Sequence, residues 1–297
     1  MKRVAIIGLG LMGGSLALAL RQAGAAVHIV GCGRAELLRR ALEKGVIDSG
    51  FVDAGEAAAE CDLVVLCTPV ETSIKLLAQI APRLKAGALV SDVGSTKAAF
   101  AAAARKIFGT SAAERVLPGH PLAGREVSGL ENASAELFAG CVWVLTPLGV
   151  AEDPLSRSGK GRLNVAPDSL QRELREALEA IGARIVFCTP EEHDRTLAYT
   201  SHLPQMVSTA LALTLERAFG AGNPALQVHA GGLRTMLRLA GSEPAMWEQI
   251  AASNQQNLAA ALEALEAELR GLRESLGSAE FRTSFEQARE FAKLLKK

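Results

Sequence analysis

The start of the chain constrains its fold more than any other stretch. Residues 3–24, RVAIIGLGLMGGSLALALRQAG, read as a strand, a tight turn and a helix. VAII is an apolar run of the kind found in strands covered on both faces of a parallel sheet. Gly8, Gly10 and Gly13 then form G-x-G-x-x-G. In a strand–helix unit the first glycine permits the turn, the second lets a pyrophosphate approach the backbone, and the third lets the helix pack on the strand. The helix start, at Leu11 and Met12, presents N–H groups and a partial positive charge to phosphate. A basic start followed by an apolar middle also imitates a secretory leader, but the glycine spacing favours the phosphate-binding turn.

The next strand, AVHIVGCG at 26–33, ends where a dinucleotide's adenosine ribose would lie. A carboxylate about 20 residues beyond the glycine motif would hold the 2′-hydroxyl of NAD. This chain has Gly33 there, followed by Arg34. An arginine pairs with a 2′-phosphate, so NADP is the preferred cofactor and NAD the alternative. Further strands are expected at 61–70, 88–96, 115–119, 141–147 and 183–190, with helices between the early ones at 72–84 and 97–108. Alternating strands and helices imply an α/β fold with a doubly wound parallel sheet of Rossmann type. Ligands of such sheets bind beyond the carboxyl ends of the strands. Thr68, Pro69, Ser95 and His120 fall at such ends, and the first two join the cofactor-binding set.

Beyond about residue 190 the strand pattern stops. Segments 191–219, 224–240, 243–275 and 279–296 read as helices. The expected division is a dinucleotide-binding domain over 1–189 and an all-helical substrate-binding and dimerisation domain over 190–297. Leu258, Leu262, Leu265, Leu269, Leu272 and Leu276 repeat at 4-3-4-3-4 on an otherwise charged helix, a heptad pattern that points to a homodimer. Gly231 and Gly232 suggest close backbone packing or a bend. Residues 166–183 form a separate amphipathic helix, capped by Asp168 or Ser169 and closed by Gly182, after a surface loop at 151–164.

Thirty-two basic and 32 acidic residues leave no net charge, so neither nucleic acid nor an anionic membrane is an expected partner. The apolar stretch 203–215 is too short to span a bilayer. Five cysteines without a C-x-x-C pair read as buried free thiols in a reducing cytoplasm. No metal site is expected.

Four further segments complete a pattern: SDVGSTK (91–97), GHPLAGREVSG (119–129), EEHDRTLAYTSHLPQ (191–205) and GGLRTMLRLAGSEPAMW (231–247). With the glycine turn they resemble the prephenate/arogenate dehydrogenase family of tyrosine biosynthesis, over nearly the whole chain. The resemblance implies an NAD(P)-dependent oxidative decarboxylation of prephenate to 4-hydroxyphenylpyruvate, or of arogenate to tyrosine. His120 matches the family's catalytic histidine, and Ser95 a serine that orients the histidine and nicotinamide. Ser95 would otherwise be the N-cap of the following helix. His202 matches a substrate-binding histidine and Arg238 the arginine that holds a substrate carboxylate, with Arg234 as fallback. His193 and His229 read as structural, and His28 as a strand-end residue.

Two positions depart from the family's pattern. Arg125 stands directly after HPLAG, where some members have a small hydroxyl residue; it adds a cation near His120 or binds a carboxylate. Thr235 stands where some members have an acid. A chain ending at EFAKLLKK leaves no room for an appended regulatory domain. The alternatives are a β-hydroxyacid-type NADP-linked dehydrogenase and a non-catalytic NADP sensor. The first would need a lysine base in the helical half, and residues 191–275 contain none.

Overall fold

The computed structural model describes residues 1–124, 127–149 and 169–294. Contacts divide the chain into two units: Met1–Thr196 with Ala240–Asn254, and Leu197–Leu239 with the chain from Gln255 on.

The first unit opens with β1 (Arg3–Ile7), α1 (Leu11–Gln22), β2 (His28–Cys32), α2 (Ala35–Glu43), β3 (Ser49–Phe51), α3 (Ala54–Ala58), β4 (Leu63–Leu66), α4 (Val70–Ile80), β5 (Leu89–Asp92), α5 (Ala98–Phe108) and α6 (Ala112–Arg115). The five strands form one parallel sheet in the order β3-β2-β1-β4-β5. Both faces are covered, and β1 shows why. Val4 and Ile6 enter a core with Leu16 and Leu20 of α1, whereas Ala5 and Ile7 enter another with Leu77 of α4 and Phe100 of α5. Alternate side chains leave opposite faces of a strand, so a strand buried on both sides must be apolar throughout. Strand order reverses between β1 and β4, which sets the ligand crevice there. Ile7 pairs with Leu66 and Leu66 with Asp92, so three strands end level at that crevice.

The later strands correct the expectation of a single sheet. β6 (Gly119–Pro121), β7 (Val142–Leu145) and β8 (Arg184–Phe187) form a separate three-stranded sheet, with β6 antiparallel and β8 parallel to β7. Between β6 and β7 the described residues hold only short 3₁₀ turns, at Leu130–Asn132 and Ala135–Phe138. Without a crossover helix the chain returns antiparallel. The strand expected at 115–119 reduces to a bridge between Val116 and Val90, and His120 lies inside β6 rather than beyond a strand end. α7 (Leu170–Ala180) is capped by Ser169, whose Oγ accepts the Arg172 N–H, and closed by Gly182 at φ +90°. Asp168 and the loop expected at 151–164 lie outside the described residues.

α8 (Pro190–Leu197) follows β8, and α11 (Pro244–Ser253) returns to this unit from far along the chain. Thr96 Oγ1 donates to Ser253 Oγ at 2.9 Å, and Asn254 Nδ2 donates to the Asp194 carbonyl at 2.7 Å. The second unit contains a π-helical turn (Ala198–His202), α9 (Leu203–Phe219), α10 (Gly231–Leu237), α12 (Gln255–Glu274) and α13 (Ala279–Leu294). Pro204 accounts for the π turn: it has no N–H, and its ring crowds the carbonyl four residues back, at Thr200. Gly231 opens α10, and a Cβ on it or on Gly232 would meet nothing within 4 Å, so of the two readings, close packing or a bend, close packing does not hold. Of the α12 leucines, Leu258 is buried, but Leu269 is 56% and Leu276, just beyond the helix, 66% exposed.

All five cysteines are free, with Cys67 and Cys141 only half-buried. Burial pushes the Cys32 thiol up to about 11. Among the described residues no helix is long and apolar enough to cross a membrane.

Candidate active site

The three motif glycines occupy three different environments. Gly8 has φ +100°, and a Cβ there would stand 2.7 Å from the Cys67 carbonyl oxygen. At Gly13 it would stand 1.9 Å from the Gly8 oxygen. At Gly10 it would meet nothing within 4 Å, so the space over the turn is open. Gly10 is also the N-cap of α1, which has no side-chain cap and no acid in its first turn. The first N–H groups of a helix lack intrahelical acceptors, so the turn offers donors and a positive dipole end to an anion. Leu11 is buried and Met12 packs against the core; both contribute main chain to this turn.

Around it stand the other residues singled out for a cofactor. Gly33 leaves β2, its N–H bonded to the Phe51 carbonyl at 3.3 Å, and Arg34 is exposed as the N-cap residue of α2. Thr68 Oγ1 lies 2.8 Å from Ser73 Oγ, and Pro69 is the N-cap residue of α4. These groups fit a dinucleotide: an open glycine turn, an uncapped helix and no carboxylate directly after β2.

A buried polar network occupies the carboxyl end of β5. Asp92 and Lys97 are fully buried and ion-paired. Burial pulls the Lys97 pKa down while Asp92 raises it. Lys97 Nζ also donates to the Gly119 carbonyl at 2.8 Å, and the Gly119 N–H donates to Asp92 Oδ1 at 3.2 Å. The residue before His120 is thus clamped on both sides, and His120 itself pairs with Val144. A Cβ on Gly119 would come 2.7 Å from Trp143 Nε1, so this approach requires glycine.

His120 Nδ1 lies 2.9 Å from His193 Nε2, and His193 Nδ1 lies 2.8 Å from Asp194 Oδ1. The Asp194 carboxylate also accepts the N–H groups of Lys97 and Ala98, at 2.7 and 2.9 Å. It therefore caps α5 from a distance. Ser95 is not that cap: the cap position is Lys97. Ser95 is half-buried in the same turn, and its hydroxyl takes no part in the described hydrogen bonds. Sequence reasoning left His193 as structural and passed over Asp92, Lys97 and Asp194. The signals were present as the dipeptide His193-Asp194 in the middle of α8 and an acid and lysine five residues apart across a strand end.

In the second unit, His202 is 1% exposed at the end of the π turn. A cavity of about 240 Å³ is lined by Tyr199, Leu203, Pro204, Thr235, Met236 and Arg238, among others. Gln205 Nε2 donates to the Leu239 carbonyl at 2.8 Å, tying α9 to the segment that carries Arg238. Arg234 is exposed and does not line the cavity. Arg125 lies outside the described residues.

A 3-2-1-4-5 parallel sheet with an open glycine turn at its switch point defines a nucleotide-binding protein of the Rossmann class. Residues 16–186 match the family described as prephenate dehydrogenase, nucleotide-binding domain, and residues 189–297 match prephenate dehydrogenase, dimerization domain. The chain belongs to the prephenate dehydrogenase family. It is 32% identical to the Lactococcus lactis prephenate dehydrogenase over 86% of this chain, and spans 65% of that relative's length. The A. aeolicus prephenate dehydrogenase, in a crystal structure with hydroxyphenyl propionate and NAD+, is 29% identical with a TM-score of 0.79, covering 100% of this chain and 96% of that one. Synechocystis arogenate dehydrogenase is 28% identical with a TM-score of 0.79, covering 99% of each chain.

Proposed function

We propose that this protein oxidises prephenate or arogenate: hydride leaves the ring carbon bearing the hydroxyl, the ring carboxylate departs as CO₂, and the ring becomes aromatic. The bound nicotinamide supplies the hydride acceptor. His120 takes the hydroxyl proton, for which an imidazole is suited near neutrality. The observation that carries this reading is the clamp on Gly119. It ties Gly119, the residue before His120, to Asp92, the last residue of β5, and to Lys97, which supports His120 as the base. Ser95, three residues beyond β5, helps orient the imidazole and the nicotinamide.

Arg238 binds a substrate carboxylate, and His202 a second polar group of the substrate. Arg238 lines the cavity beside Tyr199 and Thr235, and a guanidinium can pair with a carboxylate in bidentate fashion. Arg125 is a further candidate for that charge. NADP is the preferred cofactor, because β2 is followed by Gly33-Arg34 without an acid. The working form is a cytoplasmic homodimer assembled through the helical residues from 190 on, and the exposed Leu269 and Leu276 support it.

The test is kcat/KM for prephenate and for arogenate, each with NAD+ and with NADP+. The expected pattern is turnover of at least one substrate and a higher value with NADP+, reversed when Arg34 is replaced by Glu. Reduction of neither cofactor by either substrate overturns the proposal.

A further inference from the structure

We propose that His193 and Asp194 are positioning residues that hold His120 in its Nδ1–H tautomer, leaving the lone pair for the reacting hydroxyl on Nε2. This rests on the reaction proposed above and specifies which nitrogen serves it. All three residues belong to the first unit.

The argument runs outward from Asp194. Each of its oxygens already accepts a backbone N–H, from Lys97 and from Ala98. It meets His193 Nδ1, 2.8 Å away, as an acceptor, so the imidazole donates. His193 is 1% exposed, and burial lowers its pKa against the opposing pull of Asp194. The other charges acting on it, Lys97 and Asp92, are paired with each other. His193 therefore carries one proton, on Nδ1, and its Nε2 accepts. His120 Nδ1 lies 2.9 Å from that nitrogen and must be the donor. A neutral imidazole has a single N–H, which leaves Nε2 of His120 as its basic nitrogen. The two rings meet edge to face, with centroids 5.1 Å apart and planes at 64°.

The device answers a specific problem. The clamp on Gly119 fixes the backbone of His120 but not its ring, and a neutral imidazole exchanging tautomers would offer a proton to the hydroxyl for part of the time. His193 removes that state. When Nε2 takes the hydroxyl proton, the Nδ1–H bond remains, so charge develops against an acceptor already in place. One proton moves, from the substrate oxygen to Nε2, and the protons of His193 and Asp194 stay where they are.

Nitrogen-15 chemical shifts of the histidine-labelled protein, recorded where its imidazoles are neutral, test this without turnover. The His120 pair is assigned by its loss in His120→Asn. A protonated Nδ1 and unprotonated Nε2 are expected; a protonated Nε2 overturns the proposal. Kinetics give a second readout. His193→Leu is expected to lower kcat at least ~10-fold with substrate KM within about threefold, and to move the acidic limb of the kcat/KM profile to lower pH. His193→Gln, which keeps an acceptor near the Nε2 position, should recover most of the loss. Unchanged kcat and pH profile in His193→Leu also overturn it. Failure of the unaltered protein to turn over either substrate sinks the proposed function alone, since the shifts still decide the tautomer.

Discussion

Single side chains at the end of β5 carry unequal burdens. Lys97 and Asp92 are fully buried, and removing one partner strands the other's charge. Lys97→Met is expected to cost ~3–5 kcal/mol in urea unfolding, more than any exposed pair, such as Arg39 with Glu36, could. His120→Asn should cut kcat at least ~10²-fold while cofactor affinity, measured by calorimetry, stays nearly unchanged. Arg238→Ala should act mainly on the substrate KM, the signature of lost ground-state binding; an unchanged KM would assign the carboxylate to another cation. His120 stood out as a candidate from its local pattern, a histidine between Gly119 and Pro121. His193 did not. Its partner lies 73 residues away, and no local periodicity reports a contact of that range.

At the scale of elements, the glycine turn shows how much local physics is written into short spacings. The motif shows a positive φ at Gly8, open space at Gly10 and a 1.9 Å approach at Gly13. Gly13→Ala should therefore weaken cofactor binding and also lower thermal stability, with an overpacking penalty of ~1–3 kcal/mol. Gly10→Ala should weaken binding with little change in melting temperature. Equal melting shifts in the two variants would contradict this assignment. Long helices and buried strands were legible for the same reason: their apolar periods repeat. β3, with the sequence SGF, escaped notice because three residues with two small ones show no period. The separate sheet escaped because strand direction depends on what the connection does, and 122–141 carries no helical pattern to reveal it.

For the molecule as a whole, the leucine repeat of α12 changes character along its length. Leu258 is buried, whereas Leu269 and Leu276 are largely exposed. A stripe that leaves its chain's own core needs another apolar surface. Leu269→Asp combined with Leu276→Asp is expected to shift sedimentation from dimer to monomer. An unchanged sedimentation coefficient would mean that assembly uses a different face.

The first unit is discontinuous in sequence, and this has a consequence for synthesis. Thr96 and Asn254 reach partners 157 and 60 residues away. A nascent chain leaving the ribosome can complete β1 to β8 early, but α11 emerges only after α9 and α10 have been made. The nucleotide-binding half must therefore wait, with the flank that α11 will cover still wet, until most of its neighbour has been translated.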